Sequence, residues 1–154
     1  MTDDLLIARA VHVLSIVVWF GGVAFVTFVV LPLARRQPTA EQKLALFEAM
    51  EGRFGTIARW AVALAGLSGL WMLRNNDLWY RFAMPAFWWM WAMAGLWLVF
   101  AFVLFVAEPL WLHAAFRRRV RTAPEATFAW AFRLHLLLLL AGAVTIAGAV
   151  FGAH

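Results

Sequence analysis

Long apolar stretches separated by short polar connections make up most of the chain. Four of these stretches approach or exceed the roughly 20 residues that an α-helix needs to cross a bilayer. They cover residues 5–33, 54–73, 85–116 and about 128–153. The second is the weakest, because its uncharged part begins only after Arg59. The pattern predicts one all-α domain over residues 1–154, built as a bundle of four transmembrane helices.

The connections, residues 34–53, 74–84 and 117–124, are short. Only the first has room for another element. In it, Thr39 is followed three residues later by Gln42, which is the spacing of a capping box at a helix N-terminus. We therefore expect a short amphipathic helix over residues 39–50.

Composition supports a membrane protein and excludes several other classes. The chain is 66% hydrophobic and 14% charged, whereas soluble domains are about 45–50% apolar and about 25% charged. The absence of cysteine excludes disulfides, thiolate metal sites and thiol nucleophiles. The net charge of +5 comes from basic residues that flank the apolar stretches, so it indicates topology and not binding to nucleic acid.

The basic residues also predict the orientation of the helices. Positive charge collects on the cytoplasmic side of membrane proteins. Arg9, Arg74 and Arg81 lie on one side of the predicted bundle. The other side, formed by the first and third connections and the adjoining helix ends, carries Arg35, Arg36, Lys43, Arg53, Arg59, Arg117, Arg118, Arg119, Arg121 and Arg133. This asymmetry predicts a multi-pass protein of the bacterial inner (cytoplasmic) membrane, with both termini on the outer (periplasmic) side.

Tryptophans mark the two expected membrane boundaries, where this side chain is enriched. We expect an outer group and an inner group forming an aromatic belt. The outer group is Trp71, Trp79, Trp88, Trp89 and Trp91, and the inner group is Trp60, Trp111 and Trp130.

Polar side chains inside an apolar helix are the main candidates for chemistry, because they are costly at membrane depth. His12, Ser15, Trp19 and Gly22 recur at helical spacing and form one stripe on the first helix. The Gly21-Gly22 step leaves room for a flat group or for a neighbouring backbone. His12 is then either a cofactor ligand or the hydrogen-bond partner of a group on the fourth helix.

Three methionines could join His12 near the outer side. Met90 and Met93 lie at a similar depth on the third helix, and Met72 ends the second. Imidazole with thioether suits axial ligation of haem iron or the binding of Cu(I). The alternative is that these methionines only fill the core.

A second set of polar residues lies towards the inner side. Glu108 precedes Pro109, which is expected to kink the third helix and aim Glu108 into the bundle. Arg133 is a candidate partner for Glu108 or for a haem propionate, because a guanidinium pairs well with a carboxylate. Alternatively, Arg133 reaches the headgroups and His113 is interfacial. Glu108, His113 and His135 are further candidate metal ligands.

The histidines lie at different expected depths. Counted from the third connection, His113 and His135 differ by on the order of 10 Å, so that a haem bound by both would have to tilt. His12 and His135 lie in opposite halves of the bilayer, roughly 20 Å apart along its normal. They cannot share one iron, and two separate sites would suit electron transfer across the membrane.

Small residues form a face on the fourth helix. Gly148 and Gly152 have the spacing of a close-packing motif, and Gly142 and Thr145 extend it. This face is suited either to the bundle interior or to a partner, including a second copy of the chain.

The first helix, "RAVHVLSIVVWFGGVAFVTFVVLP", resembles the opening helix of the HemJ and CopD-type membrane proteins. These share an early His, then a Trp and a small-Gly step, then a Pro before a basic loop. The resemblance implies either a haem b protein that oxidises protoporphyrinogen or a copper-handling protein. It marks His12 as the ligand, with Trp19 and Gly22 as its neighbours. The third helix departs from the HemJ pattern, carrying "EPLWLH" where those proteins have a lysine.

Taken together, the sequence favours a haem b-binding membrane redox protein that exchanges electrons with a quinone or a porphyrin, as an oxidoreductase of the HemJ type would. The candidate cofactor-binding residues are His12, Trp19, Gly22, His113, Arg133 and His135. One alternative is copper transport or delivery through His12, Met90 and Met93. The other is a cofactor-free accessory subunit of a larger membrane complex.

Overall fold

The computed structural model describes residues 3–152, and four long helices account for most of them. Helix α1 is Asp3–Arg35, α2 is Ala40–Asn75, α3 is Pro85–Thr122 and α4 is Pro124–Phe151. Each is long and apolar enough to cross a membrane. The predicted all-α bundle of four transmembrane helices is confirmed. The predicted end of the fourth helix, Ala153, lies outside the described residues.

The four helices alternate in direction. In α1 and α2, His12 lies beside Ala65 and Gly22 beside Phe54, so that the two helices are antiparallel. Between α3 and α4, Gly148 packs against Trp88 near the start of α3. The start of α1 and the end of α4 therefore lie at one end of the bundle, which we call the terminal end. The opposite end, where α1 joins α2 and α3 joins α4, is the loop end.

Helix α2 is longer than predicted. The expected amphipathic helix over residues 39–50 and the span over residues 54–73 form one continuous helix. The predicted capping box is present, since the Gln42 backbone N–H donates to Thr39 Oγ1 and the Gln42 side chain accepts from the Thr39 N–H. Because nothing between residues 50 and 54 breaks the helix, the two predicted elements fuse.

The third connection is shorter than predicted. Helix α3 continues through the arginines to Thr122, and only Ala123 separates it from α4. Val120 is fully buried, and Phe116 and Phe128 pack edge to face, with ring centroids 5.7 Å apart. Packing of these side chains holds the basic segment in a helix that the sequence pattern assigns to a loop.

Two stretches of π-helix interrupt the parallel helices α1 and α3. One is Val26–Val30 in α1, and the other is Val103–Leu112 in α3. The second contains Pro109, whose missing N–H disrupts the α-helical hydrogen bonding. Both stretches lie in the half of the bundle nearer the loop end.

Most large apolar side chains face outwards. Val17 is 61% exposed, Leu137 65% and Val150 60%. A soluble protein would bury such a surface, whereas lipid solvates it. The bundle is therefore a multi-pass membrane protein in contact with the bilayer.

One tryptophan departs from the predicted belt. Trp89 is buried and packs against Gly148 and Gly152 of α4. The other tryptophans of the two expected boundary groups, namely Trp60, Trp71, Trp79, Trp88, Trp91, Trp111 and Trp130, are exposed.

Candidate functional sites

His12 packs between α1 and α2. Its Nδ1 lies 2.8 Å from the carbonyl oxygen of Ala65 and 3.3 Å from Ser68 Oγ. A carbonyl oxygen can only accept, so Nδ1 is the protonated nitrogen and Nε2 carries the lone pair. The hydrogen-bond partner is thus on α2, and the expectation of a partner on the fourth helix is wrong. Metal-ligating histidines are commonly held in this way, by a bond from the other ring nitrogen.

Met93 lies at the level of His12 on the parallel helix α3. Trp19 of α1 contacts Phe100 of α3, with ring centroids 4.5 Å apart. Positions seven residues earlier on both helices, which are His12 and Met93, lie two turns nearer the terminal end and return to nearly the same faces. The register therefore places His12 and Met93 at a similar depth on α1 and α3, while the contacts of the His12 ring itself are with Ala65, Ser68 and Gly69 of α2.

The other two candidate methionines, Met90 and Met72, lie at different positions along their helices. Met90 is buried, at 6% exposure, one turn nearer the terminal end than Met93. Met72 is half-buried at the end of α2. Of the three predicted thioether donors, Met93 has the register that matches His12.

The rest of the α1 stripe also faces the bundle interior. Ser15 is buried and donates to the carbonyl oxygen of Val11 at 2.7 Å. The Trp19 indole Nε1 is buried without a hydrogen-bond partner among the described residues. The space left by Gly22 is filled by the ring of Phe54, which a Cβ at Gly22 would overlap. The flat group at the glycine step is therefore an aromatic side chain of α2.

His135 lies on α4, far from His12. Its Nδ1 is 2.9 Å from the carbonyl oxygen of Ala131 in its own helix, which again leaves Nε2 with the lone pair. Gly142 packs against Phe20. On α1, Thr27 lies seven residues after Phe20, and on the antiparallel α4, His135 lies seven residues before Gly142. His135 is therefore level with Thr27, about 22 Å from His12 along α1. The separation agrees with the roughly 20 Å expected from the sequence.

Glu108 pairs with a residue of α2. Its Oε1 is 3.0 Å from Arg59 Nη2, and Arg59 Nε donates to the carbonyl oxygen of Leu104 at 3.2 Å. Arg133, the partner expected from sequence, is exposed and forms no ion pair among residues 3–152. The expected pairing with Arg133 is wrong, because α4 turns that side chain outwards while Arg59 faces α3.

His113 belongs to the same α2–α3 interface. Its Nε2 lies 3.3 Å from Glu48 Oε1, and its Nδ1 lies 3.8 Å from Glu51 Oε2. Arg117 Nε is 3.2 Å from the same Glu48 oxygen. We call the six residues Glu48, Glu51, Arg59, Glu108, His113 and Arg117 the charged ladder. Nowhere in the described part of the chain do three or more His, Asp or Glu side chains form a group that could hold a metal ion.

Sequence reasoning missed the α2 half of the charged ladder. Its signal was present, since Glu48, Glu51, Gly55 and Arg59 follow one another at spacings of three and four residues. These are the spacings of a single helical face. Dividing this stretch between a short helix over residues 39–50 and a span over residues 54–73, and counting Arg59 only as a topology signal, hid the pattern.

A smaller polar cluster joins three helices at the loop end. Lys43 of α2 is buried, and its ammonium group donates to the carbonyl oxygen of Arg35 in α1. Its Nζ also lies 2.9 Å from Glu125 Oε1 of α4. The cluster satisfies a helix-terminal carbonyl that would otherwise lack a partner.

The small-residue face of α4 points into the bundle. Gly142 meets Phe20, and Gly148 meets Trp88 and Trp89. Thr145 is buried. The sequence left open whether this face packs inside the bundle or against a partner. In the structure these residues pack inside the bundle.

Comparison with known families identifies a match over most of the chain. A family model described as "Domain of unknown function (DUF4149)" matches residues 14–120. The matched segment begins two residues after His12 and contains the whole charged ladder, while His135 lies beyond it. No curated protein and no solved structure matches the chain. Since the family model covers more than half of its length, the chain belongs to the DUF4149 family.

Proposed function

We propose that this protein binds haem b in the bilayer and transfers electrons, and that His12 and Met93 are the residues that would hold the iron. The observation that carries the proposal is the shared register of these two residues on parallel helices, set by the contact between Trp19 and Phe100. Histidine and methionine together are an established axial pair for haem iron.

The residues around His12 fit such a group. Because Nδ1 donates its hydrogen to the Ala65 carbonyl oxygen, the lone pair of Nε2 is available to bind a metal. The buried and unpartnered Trp19 Nε1 is a free hydrogen-bond donor on the same face of α1, suited to an oxygen of a bound cofactor or substrate. The resemblance of α1 to the HemJ and CopD-type proteins points to the same histidine.

In this role the chain supplies ligation and insulation. The bound haem would provide the one-electron chemistry. His12 would hold the iron, and its bond to Ala65 would keep the imidazole in one orientation. The thioether of Met93 would raise the reduction potential, as methionine ligation does. A quinone or a porphyrin of the membrane is the expected electron donor, and His135 marks a second position towards the loop end.

The same donors suit a second function, the transport or delivery of Cu(I). Soft thioether and imidazole ligands select Cu(I). Burial of Met90 one turn from Met93 favours this alternative, because it offers a second thioether near His12. The third candidate, an accessory subunit without a cofactor, loses its expected docking face, because the small residues of α4 are occupied within the bundle.

A reduced-minus-oxidised absorption spectrum of the full-length chain in detergent, with metal analysis of the same sample, tests the proposal. We expect a b-type α band and near-stoichiometric iron. Copper without an α band would support the second function. Absence of both, after supplementation with haem and with copper, would overturn both metal functions.

Variants then locate the site. His12→Ala should lose the α band and the iron, and Met93→Leu should retain haem at a lower midpoint potential. Met50→Leu, which changes an exposed methionine of α2, is the matched control and should leave the spectrum unchanged. An intact spectrum in His12→Ala would exclude the site at His12, and His135→Ala would then test the other position.

A further inference from the structure

We propose that the charged ladder is a proton relay, leading from the loop end of the bundle through Glu48, His113 and Glu51 to Glu108. This function is independent of haem or copper binding. It assigns a role to the α2–α3 interface, where charged groups lie between two helices that are long and apolar enough to cross the membrane.

The ladder alternates in charge as it leaves the loop end. Arg117 contacts Glu48 at 3.2 Å, and Glu48 contacts His113 at 3.3 Å. His113 in turn lies 3.8 Å from Glu51. Each gap is within reach of a direct hydrogen bond after a small side-chain rotation, or of one bridging water.

The next step of the ladder leads to Glu108. Glu108 Oε1 lies 3.6 Å from the position that a Cβ would take at Gly55, which is one turn after Glu51 on α2, and Arg59 holds Glu108 at 3.0 Å. Glu108 lies nine residues before Arg117 on α3, which corresponds to about 13 Å along the helix. The ladder therefore extends well into the half of the bundle nearer the loop end.

The charge balance leaves room for one mobile proton. Three carboxylates face two guanidinium groups, and arginine does not deprotonate in proteins. One negative charge is therefore uncompensated whenever His113 is neutral, and a single added proton neutralises the ladder. The groups that could share this proton are His113 and the three carboxylates, which all lie at the α2–α3 interface.

His113 is built to pass that proton on, because each of its ring nitrogens faces a different carboxylate. A proton on Glu48 is taken up at Nε2, and the proton on Nδ1 leaves to Glu51. The imidazole then carries its proton on Nε2, and it returns to its first tautomer when Nε2 releases a proton to water and Nδ1 takes one up, which the 41% exposure of the side chain allows. Glu51 delivers the proton to Glu108, so that one proton enters and one is bound.

Other charged groups near this end do not take part. Lys43, Arg35 and Glu125 form their own cluster. The remaining arginines form no ion pair with the ladder among residues 3–152. They are Arg36 on the first connection, Arg53 on α2, Arg118, Arg119 and Arg121 on α3, and Arg133 on α4.

Time-resolved infrared spectroscopy after an acid jump on the detergent-purified full chain tests the relay. The C=O stretch of protonated Glu108 is identified by its shift in D₂O and by its loss in Glu108→Gln. In His113→Gln this band should rise about 100-fold more slowly, in line with the contribution of a positioned proton-transfer group. Added imidazole should restore the rate. Glu41→Gln, an exposed change outside the ladder, should match the unmodified chain.

A merely structural ion-pair network would behave differently. An unchanged rate in folded His113→Gln would overturn the relay, as would a carboxyl band that survives Glu108→Gln. If His113→Gln fails to fold by circular dichroism, Glu51→Gln is the second variant, and it should slow the same band. None of these results depends on a haem or copper spectrum, so failure of the relay and failure of the proposed redox function are separable.

Discussion

At the scale of single residues, an aromatic ring set into the space left by a glycine is the recurring packing unit of this bundle. Phe54 fills the space at Gly22, and Trp97 fills that at Gly66. Trp97 also donates from Nε1 to the carbonyl oxygen of Val62 at 2.8 Å. Between helices in lipid, where there is little hydrophobic force to hold them together, such close contacts supply much of the attraction.

Gly22 and its neighbour provide a matched test of this packing. A Cβ at Gly22 overlaps the Phe54 ring, whereas a Cβ at Gly21 meets nothing within 4 Å. Gly22→Ala should therefore destabilise the chain by about 1–3 kcal/mol through overpacking, and Gly21→Ala should be neutral or slightly stabilising. Thermal unfolding in detergent, followed by tryptophan fluorescence, measures both. Equal effects of the two substitutions would contradict the ring-to-glycine contact.

The two contacts of Lys43, with the Arg35 carbonyl oxygen and with Glu125, should contribute differently to stability. Lys43→Met keeps the length of the side chain but leaves the Arg35 carbonyl oxygen without its partner, which costs about 1–3 kcal/mol. Glu125→Gln should cost less, because Glu125 is exposed and remains solvated. Unfolding midpoints of both variants in the same detergent give the comparison, and the opposite order would show that the ion pair matters more than the carbonyl contact.

At the scale of elements, α2 organises the bundle. It holds His12 of α1 through Ala65, and Trp97 and Glu108 of α3 through Val62 and Arg59. Its apolar signal is the weakest of the four helices in the sequence, because one face carries polar groups that meet these partners. The composition that weakens it as a membrane span is what lets it bind two neighbours.

The pair formed by Arg59 and Glu108 tests this role of α2. Arg59→Leu leaves Glu108 without its partner. We expect a loss of about 2–3 kcal/mol, less than the roughly 3–5 for a fully buried pair, because the Arg59 side chain is 36% exposed. The double variant Arg59→Leu/Glu108→Leu should recover most of this loss, since no unpaired charge remains. Chemical unfolding in mixed micelles measures the cycle, and purely additive losses would argue against a coupled pair.

At the scale of the whole molecule, the alternating helices place both termini at one end and most of the arginines at the other. The positive-inside rule then predicts that the loop end faces the cytoplasm. In that orientation the entrance of the proposed proton relay would lie on the cytoplasmic side, and His12 would lie in the half of the bilayer nearer the outer side.

The absence of cysteine makes this orientation directly testable. Asn75→Cys marks the terminal end and Pro38→Cys marks the loop end, and both positions are exposed. In intact cells a membrane-impermeant maleimide should label Asn75→Cys. Pro38→Cys should be labelled only after the membrane is permeabilised, and the unmodified chain is the blank. The reverse pattern would invert the topology and the direction of the relay.

The sequence predicted the helices better than their partners. The lengths of the apolar stretches correctly predicted the four membrane-spanning helices. The spacing of Thr39 and Gln42 correctly predicted the capping box. The end of α3 was missed because Val120, deep in the core, stabilises a helix that its arginines do not indicate. Glu108 was assigned to Arg133, since a one-dimensional pattern gives the depth of each side chain but not the rotation of its helix about the axis.

By itself, the sequence determined that the chain has four helices able to cross the bilayer and which end of the bundle carries most of the positive charge, because a helix that crosses hydrocarbon must be long and apolar and the basic residues lie in and beside the connections. The tertiary structure alone decided which faces meet. It paired Arg59 with Glu108, brought His113 between Glu48 and Glu51, and joined His12 to Ala65. These pairings depend on helix rotation and register, which are set by the packing of rings against glycines on neighbouring helices.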